Sequence, residues 1–448
     1  MSALLEDRKE WHRVLVREGA WVMATAVLSR VAGLVAGVFV ARYLGVAEFG
    51  VFSVIQVTAV TAAGVLSFAF GTVGSAAVAA AISGPAGERR SAACTTLAGA
   101  MAVSTVIAVA GAVGSPVLSS WLGVGSGEKA AWILGALLFE ASALWAVTQG
   151  LLIGLGRAAA TTKTNVLYGV LVLGATAALV PRFRVAGAIG AMLLANLAGL
   201  ALNAFVLAKS LGLHKVQARE LWGMDRGLLW NGSVPAALTA LATAPVGWWA
   251  LSVIARAPGG VAEVATFNAA NQWRTAAVFV PQTLGAVWVR LFASRRGDAH
   301  ELRRRERDAF AMTGLFGLGV GALMLGGATV VEGVYGSGFV GVASVVRLLA
   351  IAVCGQAVAG VAGNALVGRR RLWHTLALNV GWACAVIAAV SVWGGEGAVG
   401  LARSHALAYS ALSVASMVVL ARCWPARVSA VEVRTDEQGA RESQSPKC

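Results

Sequence analysis

Four ionisable residues stand inside stretches that are otherwise apolar. Arg30, Glu140 and Arg274 each lie about ten residues into a long apolar run, and Arg347 lies shallower in a fourth. At the rise of an α-helix, ten residues place a side chain roughly 15 Å from the end of its run. A charge held that deep in hydrocarbon is costly unless it meets water, a partner or a ligand. Guanidinium presents planar, paired N–H donors that match the oxygens of phosphate and carboxylate. Two deep arginines against one carboxylate leave a cationic surplus, before Arg347 is counted. That surplus suits an anionic group such as a phosphate or pyrophosphate. Glu140 carries a second reading, as the counter-ion that neutralises Arg30 or Arg274 and holds a helix bundle together.

Around Arg274 the polar residues are periodic. Asn268, Asn271, Arg274 or Thr275, Val278 and Gln282 recur at steps of three and four, which puts them on one face of a helix. Pro281 interrupts that helix beside Gln282, and Pro235 and Pro245 interrupt the preceding one. Amides along such a stripe suit a hydroxyl-rich sugar. Other polar residues in apolar runs, among them Gln56, Gln149, Asn203 and Gln356, read as hydrogen bonds between helices. His405 could carry a proton but reads equally as a packing residue. Five cysteines show no metal-ligand spacing, so no cofactor, metal site or disulfide framework is expected. A coupling ion or proton is left open.

These residues need elements that hold them, and the composition says which. Apolar residues make up 58% of the 448-residue chain and charged residues 13%, against roughly 25% charged in a soluble domain. That much apolar surface cannot be hidden in water, so the chain is an all-α integral membrane protein. Twelve segments are long enough to cross, near 20–41, 51–78, 92–115, 130–155, 163–180, 186–208, 229–254, 264–291, 309–330, 340–365, 372–392 and 399–421. With the N-terminus placed in the cytoplasm, 27 of the 36 Lys and Arg residues fall on the cytoplasmic side and six outside. This bias puts both termini in the cytoplasm of a cytoplasmic-membrane protein. The net charge of +15 is then topology and attraction to membrane lipids, without a nucleic-acid partner. The N-terminal stretch lacks the apolar core of a cleavable signal. The expected organisation is a cytoplasmic segment at 1–19, a six-helix lobe at 20–208 and a connector at 209–228. A second six-helix lobe follows at 229–422 and a disordered cytoplasmic tail at 423–448. The connector reads as an interfacial amphipathic helix.

A repeated word supports two lobes. ARYLGVAEFGVF at 41–52 and ARAPGGVAEVATF at 255–267 share Val-Ala-Glu-x-x-x-Phe at an offset of 215 residues. Each copy follows an odd-numbered span, the first and the seventh, and six spans separate them. The repeat is therefore parallel, with its axis along the membrane normal. Arg42 and Arg256 open the copies, and Gly45 in one and Gly259-Gly260 in the other permit a tight turn. Glu48 and Glu263 then lie in the first turn of the next helix, where unpaired N–H groups favour a carboxylate. Gly50 follows in the first copy. Two such bundles facing a central cavity make an alternating-access transporter.

The stretch SRVAGLVAGVFVARYLGVAEFGVFSVIQ resembles the opening of polysaccharide biosynthesis proteins, the O-antigen and teichoic-acid exporters of the MOP superfamily. The residues that carry the resemblance are Arg42-Tyr-Leu-Gly, Glu48-Phe-Gly and Phe52-Ser53, with FNAANQWRTAAVFVPQTLG at 267–285 as a looser second match. The resemblance implies a MATE-like, V-shaped pair of lobes. It also implies transbilayer movement of a polyprenyl (pyro)phosphate-linked oligosaccharide, with glycosyltransferases and a polymerase as neighbouring partners. By the same motifs, Arg30 and Arg274 become cavity-lining cations on the first and eighth helices. The transport alternative is a multidrug or small-metabolite antiporter of the MATE type. A membrane-bound glycan polymerase or ligase is the enzymatic one, although the short, mostly basic loops lack the carboxylates and histidines such an enzyme would carry.

Overall fold

The computed structural model describes residues 2–124, 128–212, 233–283, 299–368 and 371–422. Every regular element among them is helical, as a chain in lipid requires when its backbone groups must be satisfied within each segment. Helix α1 (Ser2–Leu66) runs through a π-helical segment (Ser67–Thr72) into α2 (Val73–Ala80). Then come α3 (Ala86–Val113), a short α4 (Ser115–Trp121), α5 (Lys129–Gly154) and α6 (Ala158–Leu211). The second group comprises α7 (Val234–Ala255), α8 (Val261–Thr283), α9 (Ala299–Tyr335), α10 (Val342–Gly368), α11 (Leu372–Trp393) and α12 (Gly397–Arg422). Among the described residues, seven helical stretches are long and apolar enough to cross a membrane. The chain is a multi-pass membrane protein.

Three of those stretches are far too long for one crossing. They span 54, 53 and 50 residues, which as straight helices would each exceed twice the roughly 30 Å hydrocarbon core. Each contains a backbone break. In α1 it is Gly45 (φ 74°, ψ 175°), in α6 Arg184 (φ 47°, ψ −122°), and at the first residue of α12 Gly397 (φ 67°, ψ −136°). A positive φ suits glycine, and Arg184 is the one non-glycine residue that adopts it among those described. Close backbone approach tightens two of the breaks. A Cβ on Gly187 would run into the Leu179 carbonyl, and one on Gly400 into that of Trp393.

The glutamates of the repeated word brace these breaks. Arg184 Nε donates to both oxygens of Glu48 at 2.8 Å. In the second group the Ala398 N–H, one residue past the Gly397 break, donates to Glu263 at 2.7 Å. Arg184 and Gly397 are 213 residues apart, as are Gly187 and Gly400. Breaks, close approaches and braces thus recur at nearly the spacing of the word itself. Glu128 lies near the first brace; burial, and then the charge of Glu48, pushes its carboxyl above the ordinary range.

Helices α1, α5 and α6 pack together, with α3 against α5, while α8, α9, α11 and α12 gather around or beside α10. Helix α1 joins the two groups by packing on α7 and α8. Gly50 lies against the Val261 backbone so closely that a Cβ would meet its carbonyl oxygen. Asn268 Nδ2 donates to Ser53 Oγ at 2.8 Å, and Trp248 Nε1 to Thr58 Oγ1 at 2.9 Å. Phe49 meets Phe339 edge-on at 5.7 Å, and Trp121 stacks on Trp248 at 5.6 Å. Arg256 sits 4.2 Å above the Trp121 ring. Phe49, Phe339 and the residues around them form one continuous buried core.

Several expectations fall elsewhere. Most of the connector at 209–228 and all of the tail at 423–448 lie outside the described residues, so the amphipathic helix does too. Pro235 occupies the first turn of α7, where a missing N–H breaks no helical bond, whereas Pro245 and Pro281 lie within helices.

Candidate functional site

A cavity of about 550 Å³ lies among α1, α5, α6 and α8. Arg30 projects into it from α1 and stays exposed, with its guanidinium 5.3 Å from the centre of the Phe279 ring on α8. Tyr168 of α6 stands beside Arg30 on the same wall and stacks on Trp145 of α5, with ring centroids 4.9 Å apart. The facing wall is α8, which contributes Asn268, Asn271, Gln272 and Thr275. These four stand at i, i+3, i+4 and i+7 and so share one helix face. Gly37 of α1 makes room for that wall, since a Cβ there would meet the Gln272 side chain. Arg30 is the only charged side chain lining the cavity among the described residues.

The sequence-expected residues divide between this cavity and other places. Arg30, Asn268 and Asn271 line it. Arg274 turns away toward α10 and α12: its Nε donates to Asn271 Oδ1 at 2.7 Å and its Nη1 to Gln356 Oε1 at 2.6 Å. Its guanidinium lies 5.7 Å from the Tyr409 ring, which neighbours His405. Glu140 also lies off the cavity wall, accepting a 2.6 Å hydrogen bond from Thr105 of α3. It makes no ion pair with Arg30 or Arg274 among the described residues. Gln282 is exposed near the end of α8, and Arg347 is exposed on α10. Arg42 is exposed beside the Gly45 break. Trp145, Tyr168 and Gln272 went unread in the sequence. Gln272 carried a signal, standing four residues after Asn268 in the same stripe. Tyr168 is one of only four tyrosines in the chain, and its polar tip in an apolar run was the available clue.

No family model matches the chain. It is 26% identical over 398 residues to the EPS I polysaccharide export inner membrane protein EpsE of Ralstonia nicotianae, covering 86% of this chain and 89% of that protein. The protein of the same name from Ralstonia solanacearum matches at 26% over 394 residues, with the same coverage. The fold superposes on an inward-facing multidrug resistance MATE family transporter of the MOP superfamily with a TM-score of 0.70 and 16% identity, covering 90% of this chain and 98% of that one. The chain has the fold of the MOP-superfamily transporters. The lipid II flippase MurJ in an inward closed conformation superposes on this chain with a TM-score of 0.71 at 14% identity, with 89% of this chain and 87% of that one covered. At such identities the solved structures speak for the fold of the chain alone, and the cavity chemistry has to be read from its own residues.

Proposed function

We propose that this chain is a MOP-superfamily transporter, an alternating-access flippase that moves a polyprenyl (pyro)phosphate-linked oligosaccharide across the cytoplasmic membrane for cell-surface polysaccharide assembly. Dividing the three long stretches at Gly45, Arg184 and Gly397 yields twelve crossings when α7 and α8 are counted. These form two six-helix lobes, 20–208 and 229–422, with both termini cytoplasmic. The observation that carries the reading is the cavity's charge: a guanidinium at Arg30 and, among the described residues, no carboxylate on the walls. Such a site attracts an anionic headgroup and repels the organic cations a multidrug exporter would handle. The amides of α8 complement sugar hydroxyls, and the likeness to polysaccharide-export proteins agrees with that substrate. The lipid tail stays in the membrane while the lobes rock around the headgroup.

Purified protein in liposomes tests this. Removing the charge by Arg30→Gln takes away a charge-assisted contact of about 1.5–3 kcal/mol, so headgroup translocation should fall at least about tenfold at equal protein content. Arg274→Gln should weaken transport less, through the lost bonds to Asn271 and Gln356. Unchanged glycolipid movement in Arg30→Gln would refute the assignment, and export of a cationic drug in its place would favour the antiporter. Formation of a new glycosidic bond would favour a polymerase or ligase.

A further inference from the structure

Three amides of α8 line the cavity, and the bonds they already make decide which end of each is left for a ligand. Asn271 accepts from Arg274 Nε at 2.7 Å. A guanidinium has N–H donors and no acceptor, so this bond is made by Asn271 Oδ1 and leaves the NH2 end over. Arg274 is itself held on another side, where Nη1 donates to Gln356 Oε1 of α10 at 2.6 Å. The Asn271 amide is therefore clamped in one orientation by a side chain that does not line the cavity. One turn earlier, Asn268 is set the opposite way. Its Nδ2 donates to Ser53 Oγ of α1 at 2.8 Å, which leaves Oδ1 as the end that accepts. The third amide, Gln272, fills the space beside Gly37.

This wall thus presents an acceptor and a donor one turn apart, about 5–6 Å between Cβ atoms. An ionised phosphate accepts from Asn271 but has no proton to give Asn268. A hydroxyl carries its donor and its acceptor on one oxygen and reaches one of the two asparagines at a time. A secondary amide holds N–H and C=O on different atoms at opposite edges, so it donates to Asn268 and accepts from Asn271 together. The position along α8 also suits a sugar. Arg30 stands against Phe279, eight residues beyond Asn271 and so about 12 Å away along the helix. With a phosphate on Arg30, the first one or two sugars span that distance.

We infer that Asn268 and Asn271 read an acetamido group on one of the two sugars nearest the phosphate, with its N–H on Asn268 Oδ1 and its C=O on Asn271 Nδ2. Arg274 acts through Asn271 as a positioning residue that keeps the NH2 end turned to the ligand. The inference rests on the flippase reading and deepens it by naming the class of sugar.

The test uses liposomes containing the full chain and two polyprenyl diphosphate lipids with the same short glycan and a fluorophore on its far end. In one lipid the two sugars nearest the phosphate carry acetamido groups, and in the other they carry hydroxyls at the same positions. Headgroup transfer is followed with an impermeant quencher. The acetamido lipid should cross about tenfold faster, the scale of one or two neutral hydrogen bonds. Asn271→Asp keeps an acceptor for Arg274 and replaces the NH2 by a second oxygen, so the ratio of the two rates should fall to about one. Arg274→Met frees Asn271 to turn either way and should lower the ratio at least about threefold, whereas Arg274→Lys, which keeps a donor, should restore it. A general loss of folding or gating slows both lipids together and does not move the ratio. If Arg274→Met does not fold, Asn271→Asp alone decides the point. Equal transfer of the two lipids by the native chain, or faster transfer of the hydroxyl lipid, overturns the amide reading and leaves the flippase reading standing. A native ratio in Asn271→Asp overturns it as well, and a native ratio in Arg274→Met overturns the positioning role. Failure of both lipids to cross overturns both the inference and the reading beneath it.

Discussion

Glu48 and Glu263 occupy the same place in a repeated word yet spend their carboxylates differently. Glu48 grips an exposed guanidinium, with Arg184 53% and Glu48 33% accessible at their side chains. Exposed ion pairs contribute little, about 0–1 kcal/mol, because water and salt compete for both charges. Glu263 instead accepts from the backbone N–H of Ala398 in the first turn of α12. A helix has no internal acceptor for that N–H, so losing the partner costs about 1–2 kcal/mol. Glu263→Ala should therefore lower the unfolding free energy by about 1–2 kcal/mol, and Glu48→Ala by less than about 1 kcal/mol. Thermal or denaturant unfolding of both variants in one detergent would check this, and a larger loss in Glu48→Ala would reverse the ranking. The sequence placed both carboxylates at the start of a helix but could not supply their partners. Those lie 136 and 135 residues further along the chain, beyond the reach of any helical period.

Element boundaries were more legible than element faces. The apolar segments end at 180 and 392 and resume at 186 and 399, which brackets the breaks at Arg184 and Gly397. What was hidden is how tightly the chain turns there. Gly187 and Gly400 are needed because each lies against a carbonyl from the preceding helix. Alanine at either position forces the two backbones apart, and overpacking of this kind costs about 1–3 kcal/mol. Gly174, within α6 and ten residues before its break, has nothing within 4 Å of an added Cβ. There the same change should be neutral or stabilising by up to about 1 kcal/mol, because alanine is the better helix former. Comparing Gly187→Ala, Gly400→Ala and Gly174→Ala by thermal unfolding separates steric need from helix propensity. The π-helical segment at Ser67–Thr72 left no trace in the sequence, since its apolar residues read as uninterrupted helix. Arg274 was misleading for a related reason. Its backbone belongs to the polar stripe of α8, but its long side chain bends toward Gln356, a bond that packing decides and spacing does not.

For the whole molecule, composition revealed the membrane class, while the cavity walls stayed hidden because helices that are apolar all round do not announce which face turns inward. The repeated word reaches furthest at this scale. Ser53 and Asn268 are aligned positions of its two copies, 215 residues apart, and they hydrogen-bond to each other at 2.8 Å. A residue touches its own counterpart only near an axis that relates the two copies, so the proposed pseudo-two-fold passes close to this pair. The bond lies at the end of the molecule where Gly50 meets Val261 and Phe49 meets Phe339. In the proposed alternating-access cycle, opening the cavity at that end requires all three contacts to separate, and the lobes cannot rock while they are tied. In a background with the native cysteines replaced, Ser53→Cys with Asn268→Cys should therefore transport lipid when reduced, below the native rate for want of the Asn268 amide, and fall to the protein-free rate once cross-linked. A reductant should then restore the rate, and a gel-shift assay should report the fraction joined. Full transport by a fully cross-linked population would mean that the two groups of helices need not part there, and that the headgroup leaves by a route other than this end.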